Sequence, residues 1–207
     1  MRSFFYFHDI IACKPLIALT KKELRKIYLD NRIKLNSTNC VNENFNEKII
    51  NFIKNELTAL NNKIVHCYLS MEDKHEIPTK RLIELLEDEG AQIVIPKTNF
   101  ETKEMTSFYL KGSQIKKNNW GVPEPVTGRQ ADNSIIDIVI IPLIVFDKNG
   151  HRIGYGKGFY DRFLASLNPS VIKIGLSIFD PINQIDDIGK FDVKMDYCIT
   201  NDNIYRF

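Results

Sequence analysis

The chain has 207 residues, 43% of them hydrophobic and 26% charged, with a formal net charge of +2. That length suffices for one well-formed domain or two small ones, and the composition is that of an ordinary globular protein. So small a net charge gives no argument for nucleic acid or an anionic membrane as a partner, and no segment supplies the roughly 18 uninterrupted apolar residues that a membrane span requires.

In chain order, Met1 to Leu19 is apolar in patches, but His8, Asp9 and Lys14 interrupt it and no small-residue cleavage site follows. A secretory signal needs a continuous apolar core, so this stretch is expected to be an N-terminal extension, residues 1–19, ahead of a single domain spanning 20–207. Thr20 with Glu23 has the capping-box spacing and opens a helix to about Ile33, with Leu24, Ile27 and Tyr28 on one face. Asn36 to Asn46 is polar and reads as a loop. Helical spacing returns with Ile49, Ile50, Phe52, Ile53 and Leu57. Ile64 to Leu69 has the short, β-branched profile of a buried strand. Pro78-Thr79 starts a helix, Lys80 to Glu89, that Gly90 ends. Strands are expected at Gln92–Ile95, stopped by Pro96, at Met105–Leu110, at Ile135–Phe146 with an interruption at Pro142, at Val171–Ile178 and at Tyr197–Thr200. Residues 111–134 are polar and read as irregular. Strands alternating with helices imply parallel βαβ units and a three-layer α/β/α open sandwich with a mostly parallel sheet. Sites in such sheets lie beyond the C-terminal strand ends, where the loops at 70–79, 96–105, 147–161 and 179–192 can meet.

Cys13, Cys40, Cys67 and Cys198 are scattered, and no pair has Cys-x-x-Cys spacing. This argues against a zinc or thioredoxin-like motif and fits a reducing, cytoplasmic setting. No signal for dimerisation is present, so a monomer is the default.

The densest chemistry lies at residues 150–162, Gly-His-Arg-Ile-Gly-Tyr-Gly-Lys-Gly-Phe-Tyr-Asp-Arg. Glycines at 154, 156 and 158 let the backbone approach a ligand and take positive φ. Arg152, Lys157 and Arg162 add positive charge, and the helix expected from Tyr160 to Leu167 offers free amides at its start. An apolar strand, a cationic Gly-rich turn and a helix N-terminus together describe a phosphate cradle, with Asp161 beside it as a carboxylate for Mg²⁺. The spacing is neither a Walker A loop, because Gly158 follows Lys157 and position 151 is His, nor a dinucleotide fingerprint, because position 159 is Phe. Lys21 and Arg25 are one helical turn apart and share a face. His66 follows a strand pattern and reads as structural, and His151 has no evident partner for acid–base work.

Ile141-Pro142-Leu143-Ile144-Val145-Phe146-Asp147, Gly150, and Arg152 through Asp161 together resemble the signature of the 5-formyltetrahydrofolate cyclo-ligase (5,10-methenyltetrahydrofolate synthetase) family. Lys21-x-x-Leu24-Arg25, Glu76-Ile-Pro-Thr79, Ile95-Pro96, Met105, Gly121-Val-Pro-Glu124-Pro125 and Asp192-x-x-x-Asp196 resemble further family segments in the same order. The resemblance covers residues about 20 to 201. It implies the sandwich shared with ribose-5-phosphate isomerase and CoA-transferase relatives, and ATP- and Mg²⁺-dependent closure of 5-formyltetrahydrofolate, possible also in polyglutamylated form, to 5,10-methenyltetrahydrofolate with release of ADP and phosphate. It also implies ATP contacts at Lys21, Arg25, Arg152, Gly154, Gly156, Lys157, Gly158, Tyr160 and Asp161, with Lys157 and Arg152 acting on the transferred phosphate. Folate contacts are implied at Glu76, Thr79, Met105, Trp120, Glu124 and Tyr160, with Phe108 a weaker candidate, and Mg²⁺ carboxylates at Asp161 and Asp192. The chain departs from the family pattern where Pro181 stands in place of the usual Gln, which leaves a non-catalytic ATP- or folate-binding module as the alternative. A sugar-phosphate isomerase relative is a third reading, which leaves Lys21, Arg25 and Glu124 without a purpose.

Overall fold

A computed structural model of the chain describes residues 19–35, 41 and 44–207. Almost all of the N-terminal extension and most of the polar 36–46 segment lie outside the described residues. The fold grows from strands too apolar to lie at a surface. Strand β1 (Ile64–Cys67) and strand β7 (Ile138–Pro142) are buried on both faces, which a parallel sheet covered by helices on each side requires. Between them in sequence come helix α3 (Lys80–Asp88) and strand β2 (Gln92–Asn99). Helix α3 returns the chain so that β2 pairs parallel with β1, Val65 opposite Ile93. Strand β3 (Glu104–Tyr109) then folds back antiparallel on β2, and the short β6 (Gln130–Ala131) on β3. On the other side of β1, β7 pairs parallel in register Val65–Ile138. Strands β10 (Ile172–Leu176) and β11 (Tyr197–Ile199) continue the parallel sheet, and β12 (Ile204–Arg206) closes it antiparallel. The order is β12-β11-β10-β7-β1-β2-β3-β6.

Helices cover both faces. Helix α2 (Phe45–Phe52) and α3 bury Ile49, Phe52, Leu82 and Leu86 against Val65, Ile93, Ile140 and Ile174. Helix α4 (Phe159–Ser166) buries Phe163 and Leu164 against Val94, Val139 and Ile141 on the opposite face. Each fully buried aliphatic side chain of this kind contributes about 1.5–3 kcal/mol relative to exposure. The expected three-layer sandwich is therefore present. Helix α1 (Lys21–Leu35) belongs to neither face. Its Leu24 packs on Val145, Ile153 and Ile185, over a two-stranded ribbon of β8 (Val145–Phe146) and β9 (Arg152–Ile153), and so lies across the C-terminal strand ends. Its start shows the expected capping box: the Thr20 amide donates to Glu23 Oε2 at 2.9 Å and the Glu23 amide to Thr20 Oγ1 at 3.3 Å.

Three expectations about the strands need correction. The long strand across 135–146 is two strands in different sheets, because β1 pairs with β7 only to Ile140 and β7 meets its last partner at Pro142. Pro96 does not stop β2, which runs on to Asn99. Strand β1 pairs with β2 only to Val94, so the missing proline amide takes nothing from that ladder. Residues 111–134 are not irregular: β4 (Gln114–Lys117) and β5 (Pro123–Thr127) form a hairpin, with its own register shift, and β6 follows. Polar, half-exposed strands of this kind carry little hydrophobic alternation to read. Strand β12 had no sequence signal.

One topological point places the site. From β1 the chain moves outward to β2, whereas from β7, on the other flank of β1, it moves the opposite way to β10. Ligand crevices of open α/β sheets lie at such reversals, beyond the carboxyl ends of the two central strands.

Candidate active site

The loop after β1 reaches the crevice first. A short helical turn at Glu72–Lys74 ends on His75, which takes a left-handed φ of 49°. That conformation is uncommon for a residue with a β-carbon, and it is followed by Glu76, a carboxylate only 5% exposed. Glu76 Oε2 accepts from the Met71 amide at 2.7 Å and Oε1 from the Tyr155 hydroxyl at 2.8 Å. Burial pushes its carboxyl above the ordinary range, against the opposing pull of those two hydrogen bonds and of the Arg32 charge. A small cavity beside it is lined by Arg32, Tyr68, His75, Glu76, Ile77, Pro142, Leu143, Leu176 and Ile178. These residues come from α1 and from the C-terminal ends of β1, β7 and β10, the place the topology indicates.

Thr79 does not face this cavity. It is 1% exposed and its hydroxyl donates to the Tyr68 carbonyl at 2.8 Å, which braces the 68–79 loop. Its hydroxyl proton is thus already engaged within the protein.

The Gly-rich loop forms the second half of the site. The buried carboxylate of Asp147 anchors its base: Oδ1 accepts from the amides of Asn149 and His151, both at 2.9 Å, and Oδ2 from the Ile185 amide at 3.1 Å. His151 Nδ1 lies 3.4 Å from the same carboxylate but makes no hydrogen bond among the described residues. Gly156 and Gly158 take φ of 82° and 68°, the left-handed region that other residues enter at a penalty. Gly154 does not, so positive φ is needed at two of the three glycines. Arg25 lies over this turn: its Nε donates to the Gly154 carbonyl at 2.7 Å, and a β-carbon on Gly156 would sit 3.0 Å from its Cζ.

The loop cations divide into two kinds. Arg152 has a side chain 5% exposed; it donates to Asp161 Oδ1 at 2.8 Å and to the Val193 carbonyl. The Val193 amide also donates to Asp161 Oδ1, at 3.2 Å. Arg152 thus gathers Asp161 and the neighbour of Asp192 around one guanidinium, and in this arrangement it is not the open phosphate contact expected of it. Arg162 donates to the carbonyls of Lys103 and Lys157 at 3.0 and 2.7 Å, closing the turn rather than adding charge to its mouth. Lys157 is exposed and makes no ion pair among the described residues; its Nζ lies 5.7 Å from the ring centroid of Trp120. Lys21 pairs with Asp192, and its amide donates to both oxygens of Asp187 at 2.9 Å. Burial alone raises the Asp192 carboxyl, but the hydrogen bonds from Lys21 and the Gly189 amide outweigh it and hold it below the usual range.

The remaining folate candidates do not share one surface: Trp120 lies beside the loop, whereas Met105, 7% exposed, is buried in the core on the α4 face. Trp120 is 60% exposed and stacks on Phe100, with centroids 5.1 Å apart, and Phe100 in turn meets Phe159 edge-on. Met105 pairs with Thr98 across β3 and β2, and Thr98 donates to Glu124 Oε2 at 3.2 Å through its hydroxyl. These residues do not line the Glu76 cavity. Phe108, half-buried, packs into the core on the α2 and α3 face. Tyr160 joins the α4 face, and its buried hydroxyl has no hydrogen-bond partner among the described residues. Pro181 lies just before Ile182, whose amide donates to the Phe146 carbonyl at 2.9 Å, so this segment serves to fix the base of the loop.

Two residues of the site escaped the sequence reading. Arg32 is 4% exposed and donates to the Leu143 carbonyl and, at 3.4 Å, to the Tyr155 hydroxyl. A signal existed: positions 21, 25 and 32 fall on one helical face. Tyr155 sat inside the recognised loop but carried no charge to attract notice.

A search of known families places the chain. The model of the 5-formyltetrahydrofolate cyclo-ligase family matches residues 18–201. The chain is 27% identical over 159 residues to a probable 5-formyltetrahydrofolate cyclo-ligase of Schizosaccharomyces pombe, covering 70% of this chain and 78% of that protein. It is 37% identical over 120 residues to the 5-formyltetrahydrofolate cyclo-ligase of Haemophilus influenzae, covering 56% of this chain and 63% of that one. Among solved structures, a 5,10-methenyltetrahydrofolate synthetase of Aquifex aeolicus superposes with a TM-score of 0.70 at 25% identity, covering 91% of this chain and 93% of that chain. A 5,10-methenyltetrahydrofolate synthetase from Mycoplasma pneumoniae shares the fold, with a TM-score of 0.67 at 23% identity. With the family match running nearly the length of the described domain, and with the Gly-rich loop and Glu76 meeting at one crevice, this chain belongs to the 5-formyltetrahydrofolate cyclo-ligase family.

Proposed function

We propose that this chain, a cyclo-ligase by family, uses ATP and Mg²⁺ to close 5-formyltetrahydrofolate to 5,10-methenyltetrahydrofolate. The observation that carries the reading is the two-part site: a cationic Gly-rich turn beside a cavity holding a buried carboxylate, with Tyr155 belonging to the first and bonded to the second. The formyl oxygen is amide-like, and its loss as oxide is prohibitive. Attack of that oxygen on the γ-phosphorus forms an O–P bond, breaks the bond to the bridging oxygen and releases ADP. N10 then attacks the activated formyl carbon, the C–O bond breaks, phosphate departs and the N10 proton goes to solvent.

The protein's part is to orient two substrates and offset phosphate charge. Lys157, Lys21 and Arg25 are the cations arrayed over the Gly154–Gly158 turn for the triphosphate, and Lys157 is the one open to a transferring γ-phosphate. Arg152 holds Asp161 in place. Glu76 accepts from the donor edge of the pterin, with Trp120 and Glu124 on the outer wall. No covalent nucleophile is required, and the described cysteines do not supply one: Cys67 and Cys198 are buried in the core, and burial pushes both thiols well up.

The carboxylates fit Mg²⁺. Asp161 and Asp192 each accept all their hydrogen bonds among the described residues through a single oxygen, Oδ1 and Oδ2 respectively. Each therefore keeps one hard oxygen for a metal that prefers such ligands alongside substrate phosphates. Bound there, the ion would offset charge on the transferring phosphoryl group. The described residues include no helix long and apolar enough to cross a membrane, and we place the reaction in the cytoplasm.

The test is the growth of near-ultraviolet methenyl absorbance when 5-formyltetrahydrofolate, ATP and Mg²⁺ are supplied together. Absence of turnover in a folded sample that binds ATP would favour a binding module instead.

A further inference from the structure

Arg32 is an anomaly among the buried groups. Its guanidinium is 4% exposed, yet no carboxylate lies within ion-pair distance among the described residues. A buried charge without compensation is strongly unfavourable. Glu76, the other charged group buried at this crevice, is 5% exposed and likewise has no direct cationic partner. The Tyr155 hydroxyl stands between them. It donates to Glu76 Oε1 at 2.8 Å and accepts from Arg32 Nη1 at 3.4 Å. A phenol can do both at once, and in this relay each charge stabilises the orientation of the hydroxyl that serves the other. The other guanidinium nitrogen is fixed on the Leu143 carbonyl at the end of β7.

We propose that Arg32 and Tyr155 are positioning residues for the folate half of the site: the relay from α1 through the Gly-rich loop holds Glu76 aimed at the pterin. This rests on the reading of Glu76 as a folate contact given above. Glu76 keeps acceptor capacity for the substrate, because each carboxylate oxygen has two lone pairs and one protein donor here. The arrangement also joins the two halves mechanically. Tyr155 lies between Gly154, whose carbonyl Arg25 holds, and Gly156, over which Arg25 lies. Ordering of this turn by a triphosphate therefore fixes the tyrosine that orients the folate carboxylate.

The titratable and charged groups facing Glu76 come from every neighbouring element: Arg32 of α1, Tyr68 and His75 of the loop after β1, Asp73 of the short helical turn, Tyr155 of the Gly-rich loop and Tyr160 of α4. Of these, Tyr155 is the one whose hydroxyl is bonded to Glu76, so deleting that hydroxyl tests the relay without altering the shape of the site.

The experiment compares wild type with Tyr155→Phe and Arg32→Lys in the absorbance assay, with KM for each substrate and a pH profile of kcat/KM for 5-formyltetrahydrofolate. Loss of a hydrogen bond to a charged group predicts a folate KM roughly tenfold higher for Tyr155→Phe, an ATP KM within about twofold, and an acidic limb moved to higher pH. Arg32→Lys keeps the charge but cannot hold Leu143 and Tyr155 together, so it follows the same pattern; if it fails to fold, Tyr155→Phe alone decides. A Tyr155→Phe enzyme with unchanged folate KM and unchanged acidic limb, or with both KM values raised alike, overturns the proposal. An inactive wild type instead overturns the reading beneath it, and the proposal with it.

Discussion

Tyr155 and Glu76 lie 79 positions apart, and a 2.8 Å hydrogen bond from the tyrosine hydroxyl to the glutamate carboxylate joins them. That bond makes one site of two loops. It brings a cationic glycine-rich turn against a carboxylate buried beside a small cavity, at the point where the sheet reverses its direction of growth.

Lys157 is the clearest target on the phosphate side. It is exposed and bears no ion pair among the described residues, so Lys157→Ala should leave thermal stability unchanged within about 0.5 kcal/mol. Turnover should fall by about a hundredfold or more, as for other cations that offset charge in phosphoryl transfer. Full retained activity would remove Lys157 from the transfer step.

Glu76→Gln should separate binding from stability. Folate KM is expected to rise by roughly tenfold to a hundredfold through loss of a charged acceptor, with ATP KM little changed. The stability effect has the opposite sense. Burial raises the Glu76 carboxyl in the folded state, so the unfolded chain gives up its proton first as pH rises, and ionisation then opposes folding. The glutamine variant should therefore melt above wild type at neutral pH, with the gap closing as pH falls below the unfolded carboxyl range. A variant that melts below wild type at pH 7 would contradict this.

Removing Mg²⁺ with a chelator should abolish turnover while the fold, measured by circular dichroism, persists. Asp161→Asn and Asp192→Asn should each raise the Mg²⁺ concentration needed for half-maximal rate. Equal Mg²⁺ dependence in wild type and both variants would place the ion elsewhere.

Gly156→Ala asks for φ of 82° at a residue with a β-carbon, and puts that carbon 3.0 Å from Arg25 Cζ. The left-handed penalty is about 1–2 kcal/mol. ATP affinity should fall with it, since Arg25 must move; titration calorimetry with the nucleotide measures both binding and any change in active fraction.

His66 offers a pH test away from the site. It is fully buried against Phe163, at a centroid distance of 4.6 Å, neither ring nitrogen has a hydrogen-bond partner among the described residues, and burial lowers it to about 3. The unfolded chain protonates first on acidification, so stability falls as pH drops from about 6.5 toward 3, by roughly tenfold in the folding equilibrium per pH unit. His66→Phe should flatten that part of the acid denaturation curve. An unchanged curve would mean the histidine is hydrated or paired in solution.

The layered architecture and the phosphate turn were legible along the chain because both rest on local chemistry. Ile138 to Ile141 is apolar without alternation, which only a doubly covered strand tolerates, and the Gly156-Lys157-Gly158 run declares a turn that must leave ordinary backbone space. Asp161 was visible for the same reason, beside that turn, whereas the roles of Asp192 and of the helix face with Lys21 and Arg25 were implied only by the family resemblance. What spacing could not show is where a charge points. Arg152 read as a phosphate ligand and Arg162 as added positive charge, yet both turn inward to carbonyls and, for Arg152, a carboxylate. Thr79 read as a substrate contact, yet its hydroxyl braces its own loop. Arg32 drew no reading at all, yet it is buried at the site. Sequence by itself thus determined the central buried strands, the caps and the Gly-rich turn, because propensity, burial pattern and glycine geometry act over a few neighbours. Only the tertiary structure decided that Arg32, Tyr155 and Glu76 share one crevice, because the energy of a charge depends on what surrounds it in space, and those surroundings come from α1, β1, β7 and β10 meeting at the reversal of the sheet.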